Sequence, residues 1–493
     1  EILFASEESA RKQLEATQTR QDTPSELEDG DIRSNAWDYL TSTADAHYEP
    51  GKFTPLIGFE FTAQKAGQNL HRVVIYRDDA EKAQILLPLS PKRDSDPRRL
   101  WDFLELYEDI SGGKVLAIAH NGNLSNGLMF PTAELEFGDA IDSDYVTRRA
   151  RWEPVYEVTQ IKGDGETHPL LSPDDRFADY ETWDFGDFAG VLKKDEMISF
   201  EYAREALKQG LALESTFGVN PYKFGMIGST DSHTSLATAD EDNFYGKHSA
   251  AMEPQPDRWK DAVGGRGDVT VPGFMMAASG YAAVWAPENT REAIWDAIAR
   301  REVYATTGSR ITVRFFGGWD FTEDDLYASN MPELGYEKGV SMGGSLVAAD
   351  SSAPVFMLQA AKDPNGANLD RLQVIKGWED SAGEVHEQVY NVIWSNPELR
   401  SMDADGKVAD VPFTVKGATY SHKYGAAELS ALWQDPDFVL GQKAFYYVRV
   451  IEVPSPRWTA YDSSRFKVDM PKYVSKVTQE RAYSSPIWYD PAD

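Results

Sequence analysis

The residues best suited to chemistry in this chain lie in Gly228-Ser229-Thr230-Asp231-Ser232-His233-Thr234. The preceding Lys223-Phe224-Gly225-Met226-Ile227 reads as a short buried strand, so Asp231 and His233 are expected at its C-terminal end. An Asp and a His two apart on extended backbone point the same way. A carboxylate and an imidazole that converge there are suited to a divalent metal. The same pair also reads as a turn cap followed by an ordinary loop histidine. Three other stretches share the form, an apolar strand with a ligand-type residue at or near one end. They are residues 55–61 with Glu60, residues 69–76 with His71, and residues 115–121 with His120. The chain has 8 His, and chance would more often scatter them among loops than place His71, His120 and His233 all in such contexts. Strand-end residues converging from separate strands are how α/β barrels build active sites.

The elements that must position these residues can be read in order. Residues 6–31 are polar and read as a helix and then a loop, and residues 33–46 as an amphipathic helix with Trp37 and Leu40 on its apolar face. His47 follows that helix and His248 lies in the loop 243–248; both read as structural or surface histidines. Glu60 is flanked by Phe59 and Phe61 on the opposite face, so its carboxylate must be solvated, paired or bound to metal. Asp96-Pro97 is a helix start, and the helix through Leu100, Trp101, Phe103, Leu104 and Tyr107 ends near Gly112-Gly113. A strand then leads to His120. This strand–helix–strand rhythm implies a parallel sheet. Strand 155–160 leads into a loop that carries Lys162, Glu166 and His168. That loop reads equally as a ligand-binding segment, with Lys162 as a point charge for an anion, and as an exposed charged loop.

Composition narrows the function. Net charge is −31 at pH 7, which argues against nucleic acid and anionic membrane surfaces as partners. Phosphate chemistry would need local cations such as metals. Cys is 0, which excludes disulfides and thiolate chemistry. The absence of any apolar run of about 18 residues argues against a transmembrane helix. Glu1-Ile2-Leu3-Phe4 lacks the basic and apolar regions of a signal peptide, so a mature or trimmed product is expected, and an acidic, Cys-free chain fits a periplasmic or secreted setting. A length of 493 residues fits two domains. After about Gly317 helical periodicity fades, and candidate strands at 355–361, 369–376, 384–394 and 444–453 alternate with turn signals in a β-sandwich pattern. The expected division is 1–316, a metal-binding domain; 317–475, a β-sandwich-like domain; and 476–493, a tail that packs back.

In their order, these motifs resemble the PHP superfamily, the polymerase and histidinol phosphatase proteins. They resemble more closely the bacterial family called domain of unknown function 3604, along residues 58–62, 69–76, 120–125, 160–169, 225–234, 304–308, 444–458 and 484–489. The resemblance covers nearly the whole chain. It implies an α/β fold, a PHP-type distorted (β/α)7 barrel, with two or three Zn, Mn or Fe ions at the strands' C-terminal ends. By that pattern Glu60 bridges two metals, His71 and His120 complete one of those sites, and Asp231 and His233 serve the others. It implies a metal-dependent hydrolase acting on a phosphoester by a metal-activated water, with Lys162, His168 and Arg72 as candidate catalytic residues for phosphate contact or leaving-group protonation. The opening His-x-His strand of the family and a later Asp-His pair are not in this sequence. Either the chain is a fragment of a longer one or the centre is incomplete; if it is incomplete, Glu60, His71 and His120 are still expected to hold one metal, with the other sites weak or empty. Two rivals follow from the same residues: a hydrolase of a sulfate ester, amide or lactone, and a non-catalytic binding or scaffold protein.

Overall fold

The computed structural model describes residues 30–91, 95–135, 138–236, 239–248, 252–266, 269–278, 280–347, 352–412 and 415–491. All but the last two residues of the polar segment 6–31 lie outside them. Helix α1 (Gly30–Ala46) precedes a six-stranded sheet. Its principal strands are β1 (Gly58–Phe61), β2 (Arg72–Tyr76), β3 (Val115–His120), β4 (Val155–Gln160) and β5 (Gly225–Gly228), hydrogen-bonded in that order. Helices α2 (Pro97–Ser111), α3 (Ser143–Trp152) and α4 (Ala203–Phe217) connect them. Among the described residues the sheet is open. α2 begins where the sequence places it: the Asp96 carboxylate accepts from the Arg98 amide at 2.9 Å, Pro97 takes the first turn, and Gly112 closes the helix with φ +63°.

The expectation of a parallel sheet needs correction. β3, β4 and β5 run parallel, but β1 pairs antiparallel with β2, and β2 antiparallel with β3. The connection from β2 to β3 explains this. A one-turn helix (Ala80–Ala83) and irregular chain run out and α2 runs back, so the chain re-enters the sheet at the end it left. The Arg77 amide donates to the Lys114 carbonyl at 3.0 Å across that gap.

Strand alternation sorts the two faces. Phe61, Val74, Tyr76, Val115 and Ala117 pack against Trp37 of α1, Leu100, Trp101, Leu104 and Tyr107 of α2, and Tyr145 and Val146 of α3. On the other face Ile75, Leu116, Ile118, Val155 and Ile227 meet Trp295 and Ile298 of helix α5 (Arg291–Ala299). Each such buried side chain contributes about 1.5–3 kcal/mol. Glu60, His71 and His120 lie on this second face, where its apolar core reaches the edge.

The C-terminal part contains an eight-stranded and a four-stranded sheet. The larger runs through strands Tyr281–Val284, Val303–Thr306, Arg481–Ser484, Ala444–Glu452, Leu369–Glu379 and Val385–Trp394. The smaller joins Gly339–Ser341, Thr312–Gly318, Val355–Ala361 and Glu428–Gln434. They enclose a common core that includes Val313, Phe315, Phe356, Leu358, Leu372, Val374, Tyr446 and Val448. Strands from residues 281–318 and from 481–490 belong to these sheets, so residue 316 does not fall between sheets. A buried ionic network joins the two parts. Arg204 of α4 and Arg449 both bind Glu166 and Asp175, at 2.5–3.0 Å. Among the described residues no helix is long and apolar enough to cross a membrane.

Candidate metal centre

Three strands bring one ligand each to a common edge. Glu60 sits in β1, His71 directly precedes β2, and His120 ends β3. The His120 amide donates to the His71 carbonyl at 3.4 Å, which sets the two imidazoles side by side, their ring centroids 5.6 Å apart. Glu60 Oε1 lies 2.8 Å from His71 Nδ1 and 3.2 Å from His120 Nε2. The three potential ligand atoms all lie within 4.8 Å of one another.

Neighbouring groups hold these side chains in place. The Asn69 amide donates to the carbonyls of His120 and Asn121, at 2.8 and 2.9 Å, and its oxygen accepts from the His71 amide. Gln64 Nε2 lies 3.3 Å from His71 Nε2, and Phe188 stacks on the His71 ring. Asn121 turns the chain away from β3 in the left-handed region, with φ +53°, which asparagine tolerates.

The electrostatics suit a cation. Burial alone would raise the Glu60 carboxyl, but hydrogen bonds from His120 and His71 hold it well below the ordinary carboxylate range. Burial pushes His71 down to about 4, against the pull of Glu60. His71 is therefore neutral at pH 7, the form that ligates metal. His120 Nδ1 and Glu157 Oε1 are buried and lack a hydrogen-bond partner, and His120 and Glu157 are register partners on adjacent parallel strands. Two imidazoles and one part-exposed carboxylate fit one divalent ion such as zinc. Glu157 escaped the sequence reading, although a lone acid inside the apolar run Val155-Tyr156-Glu157-Val158 was its signal.

Asp231 belongs to a second cluster beside the first. Its Oδ2 accepts from Lys162 Nζ, from Lys247 Nζ at 2.7 Å and from Gln160 Nε2 at 2.8 Å. Gln160 also donates to Asn121 Oδ1 at 2.8 Å, which ties this cluster to the end of β3. Burial pushes Lys247 down to about 8 and Lys162 downward too, against the pull of the Glu60 carboxylate on both. His233 Nδ1 lies 3.0 Å from the Asp231 carbonyl and 3.2 Å from Lys247 Nζ, and its ring packs against His248 at 4.9 Å. Asp231 and His233 therefore do not join the three-residue group. Burial pushes both His233 and His248 down to about 4. Lys247 and His248 were not among the expected site residues; the loop that carries them offers no periodicity to mark them.

Two expected catalytic residues are placed elsewhere. Arg72 is fully buried on the opposite face of β2, where its guanidinium donates to Glu153 at 3.1 Å and to the Leu70 carbonyl at 2.6 Å. Alternation requires this, since His71 takes the site face. His168 is buried, pairs with Asp184 at 3.3 Å and packs against Tyr202. Its partners are thus not those of Lys162 and Asp231.

Residues 3–491 match the model of a family described as "Protein of unknown function (DUF3604)". The chain belongs to that family. No curated protein shows detectable similarity to it.

Proposed function

We propose that the protein is a metal-dependent hydrolase of phosphoesters, a member of the PHP type of metal-binding α/β proteins. The observation that carries this reading is the convergence of Glu60, His71 and His120 beside the part-buried Lys162 and Lys247. A divalent ion bound there supplies Lewis acidity and a water of lowered pKa. The protein's own groups do the rest. Glu60, His71 and His120 hold the ion, and Asn69 fixes the backbone that carries both histidines. Lys162 and Lys247 offer N–H donors, and Lys247 positive charge, to a phosphoryl group in a chain whose net charge of −31 would otherwise repel it. Low dielectric around the two lysines strengthens that attraction. The acidic, Cys-free composition suits a periplasmic or secreted location, which we propose with it.

The test is a substrate panel with the chain loaded with Zn, Mn or Fe. It should contain phosphate monoesters, phosphate diesters, a sulfate ester, a lactone and an amide. Turnover of a phosphoester that falls at least 100-fold in Glu60→Ala and His120→Ala is expected. Turnover confined to the sulfate ester, lactone or amide would replace the phosphoesterase reading with another hydrolase. No turnover of any member with metal bound would favour a binding protein.

A further inference from the structure

The resemblance to PHP proteins implies two or three metal ions, with Asp231 and His233 serving those beyond the first. We propose instead that this site takes a single divalent ion, on Glu60, His71 and His120, and that Lys162 and Lys247 occupy Asp231 in place of further metal. The inference rests on reading the three-residue group as a metal centre, and the second cluster supplies its grounds.

Asp231 Oδ2 already accepts three N–H donors, from Lys162, Lys247 and Gln160. A carboxylate oxygen has two lone pairs, so Oδ2 has none left for a metal, and a metal on Oδ1, which lies 3.9 Å from His233 Nδ1, would still share the carboxylate with both lysines. Lys247 is held from a second side, donating to the Asp231 carbonyl at 2.8 Å. Both lysine side chains are mostly buried, 13% and 14% exposed, so neither swings freely into solvent to make room. A divalent ion at Asp231 would sit beside two amino groups that take up positive charge, and the low dielectric of a buried site sharpens the repulsion. His233 does not compensate. Its side chain is about half exposed, and its Nδ1 faces the Asp231 carbonyl and Lys247 Nζ. N–H donors of the protein itself thus stand at the carboxylate that further metal would use. An anionic ester group would bridge from the single ion to the lysines.

The arrangement predicts a stoichiometry. The purified chain, incubated with excess Zn or Mn and then desalted, should retain about one ion by elemental analysis. Lys162→Met with Lys247→Met frees the Asp231 carboxylate next to His233 and His248, and this double variant should retain a second ion. Adding Asp231→Asn to the double variant should return it to one. Asp231→Asn alone, nearly isosteric, should keep its single ion, since Asp231 is not a ligand. Circular dichroism matching the unmodified chain would confirm that each variant compared is folded. Two or more ions in the unmodified chain would overturn the inference. So would a folded double variant that stays at one, or loss of the ion in Asp231→Asn alone. No ion in the unmodified chain would overturn the underlying reading of Glu60, His71 and His120.

Discussion

Arg72 and His71 are sequence neighbours with opposite fates, and strand geometry decides between them. His71 faces the site. Arg72 faces α2 and α3, where it shares the Glu153 carboxylate with the indole of Trp101. Burial would raise Glu153, but Arg72 and Arg149 hold it low. Removing Arg72 leaves the buried Glu153 carboxylate with only Arg149 and the Trp101 indole, and breaking a buried pair costs about 3–5 kcal/mol. Arg72→Met should therefore lower unfolding stability by about that amount in denaturant titration, and leave the metal content of the folded fraction unchanged. A stable Arg72→Met protein with altered substrate binding would restore Arg72 to the site. Part of this was legible beforehand. A charged residue directly after a ligand histidine must alternate to the far face if the strand is regular. The partner Glu153 was not legible, because it lies 81 residues away at the end of α3.

At the scale of elements, the site depends on the ends of β1, β2 and β3 staying level. Asn69 levels the last two, because its amide bridges the carbonyls of His120 and Asn121 while its oxygen holds the His71 amide. Groups that orient ligands from behind typically change metal affinity 10- to 100-fold when removed. Asn69→Ala should weaken metal affinity by roughly that factor in a competition titration against a chromogenic chelator, and an unchanged affinity would show that the strand ends hold themselves. The strands carrying Glu60, His71 and His120 were readable from apolar runs ending in ligand-type residues. Their mutual direction was not. The strand–helix–strand rhythm implies a parallel crossover, yet α2 returns the chain to the edge it left, and nothing local distinguishes a returning helix from a crossing one. The loop carrying Lys247 was equally silent. Its role comes from reaching back to Asp231, 16 residues earlier.

At the scale of the whole molecule, strand pairing and a buried ionic network join the two parts. The change of pattern near Gly317 marks where β-structure takes over. The larger sheet, however, recruits Val303–Thr306 from before that point and Arg481–Ser484 from the C-terminal end. Such long-range pairing is set by packing, which composition does not encode. The interior also carries buried acids. Burial pushes the Glu452 carboxyl up to about 8, although Ser309 donates to it at 2.5 Å. The native protein then keeps a proton that the unfolded chain releases above its ordinary carboxyl pKa. That contribution to stability is present below that ordinary value and is lost as pH rises through about 8. Between pH 6 and 8 the loss is about 2 kcal/mol for one such group. Glu452→Gln removes it, so urea unfolding of the variant should fall less over that interval than that of the unmodified chain. Equal slopes would show that Glu452 titrates alike in both states.

Everything proposed for this protein depends first on Glu60, His71 and His120 holding a metal ion. Elemental analysis of the purified, metal-loaded chain, beside Glu60→Ala and His120→Ala prepared identically, tests that claim directly. Bound divalent metal is expected in the unmodified chain, and its loss from both variants while their folded structure persists. A chain that binds no metal, or one whose metal survives both substitutions, would contradict the claim.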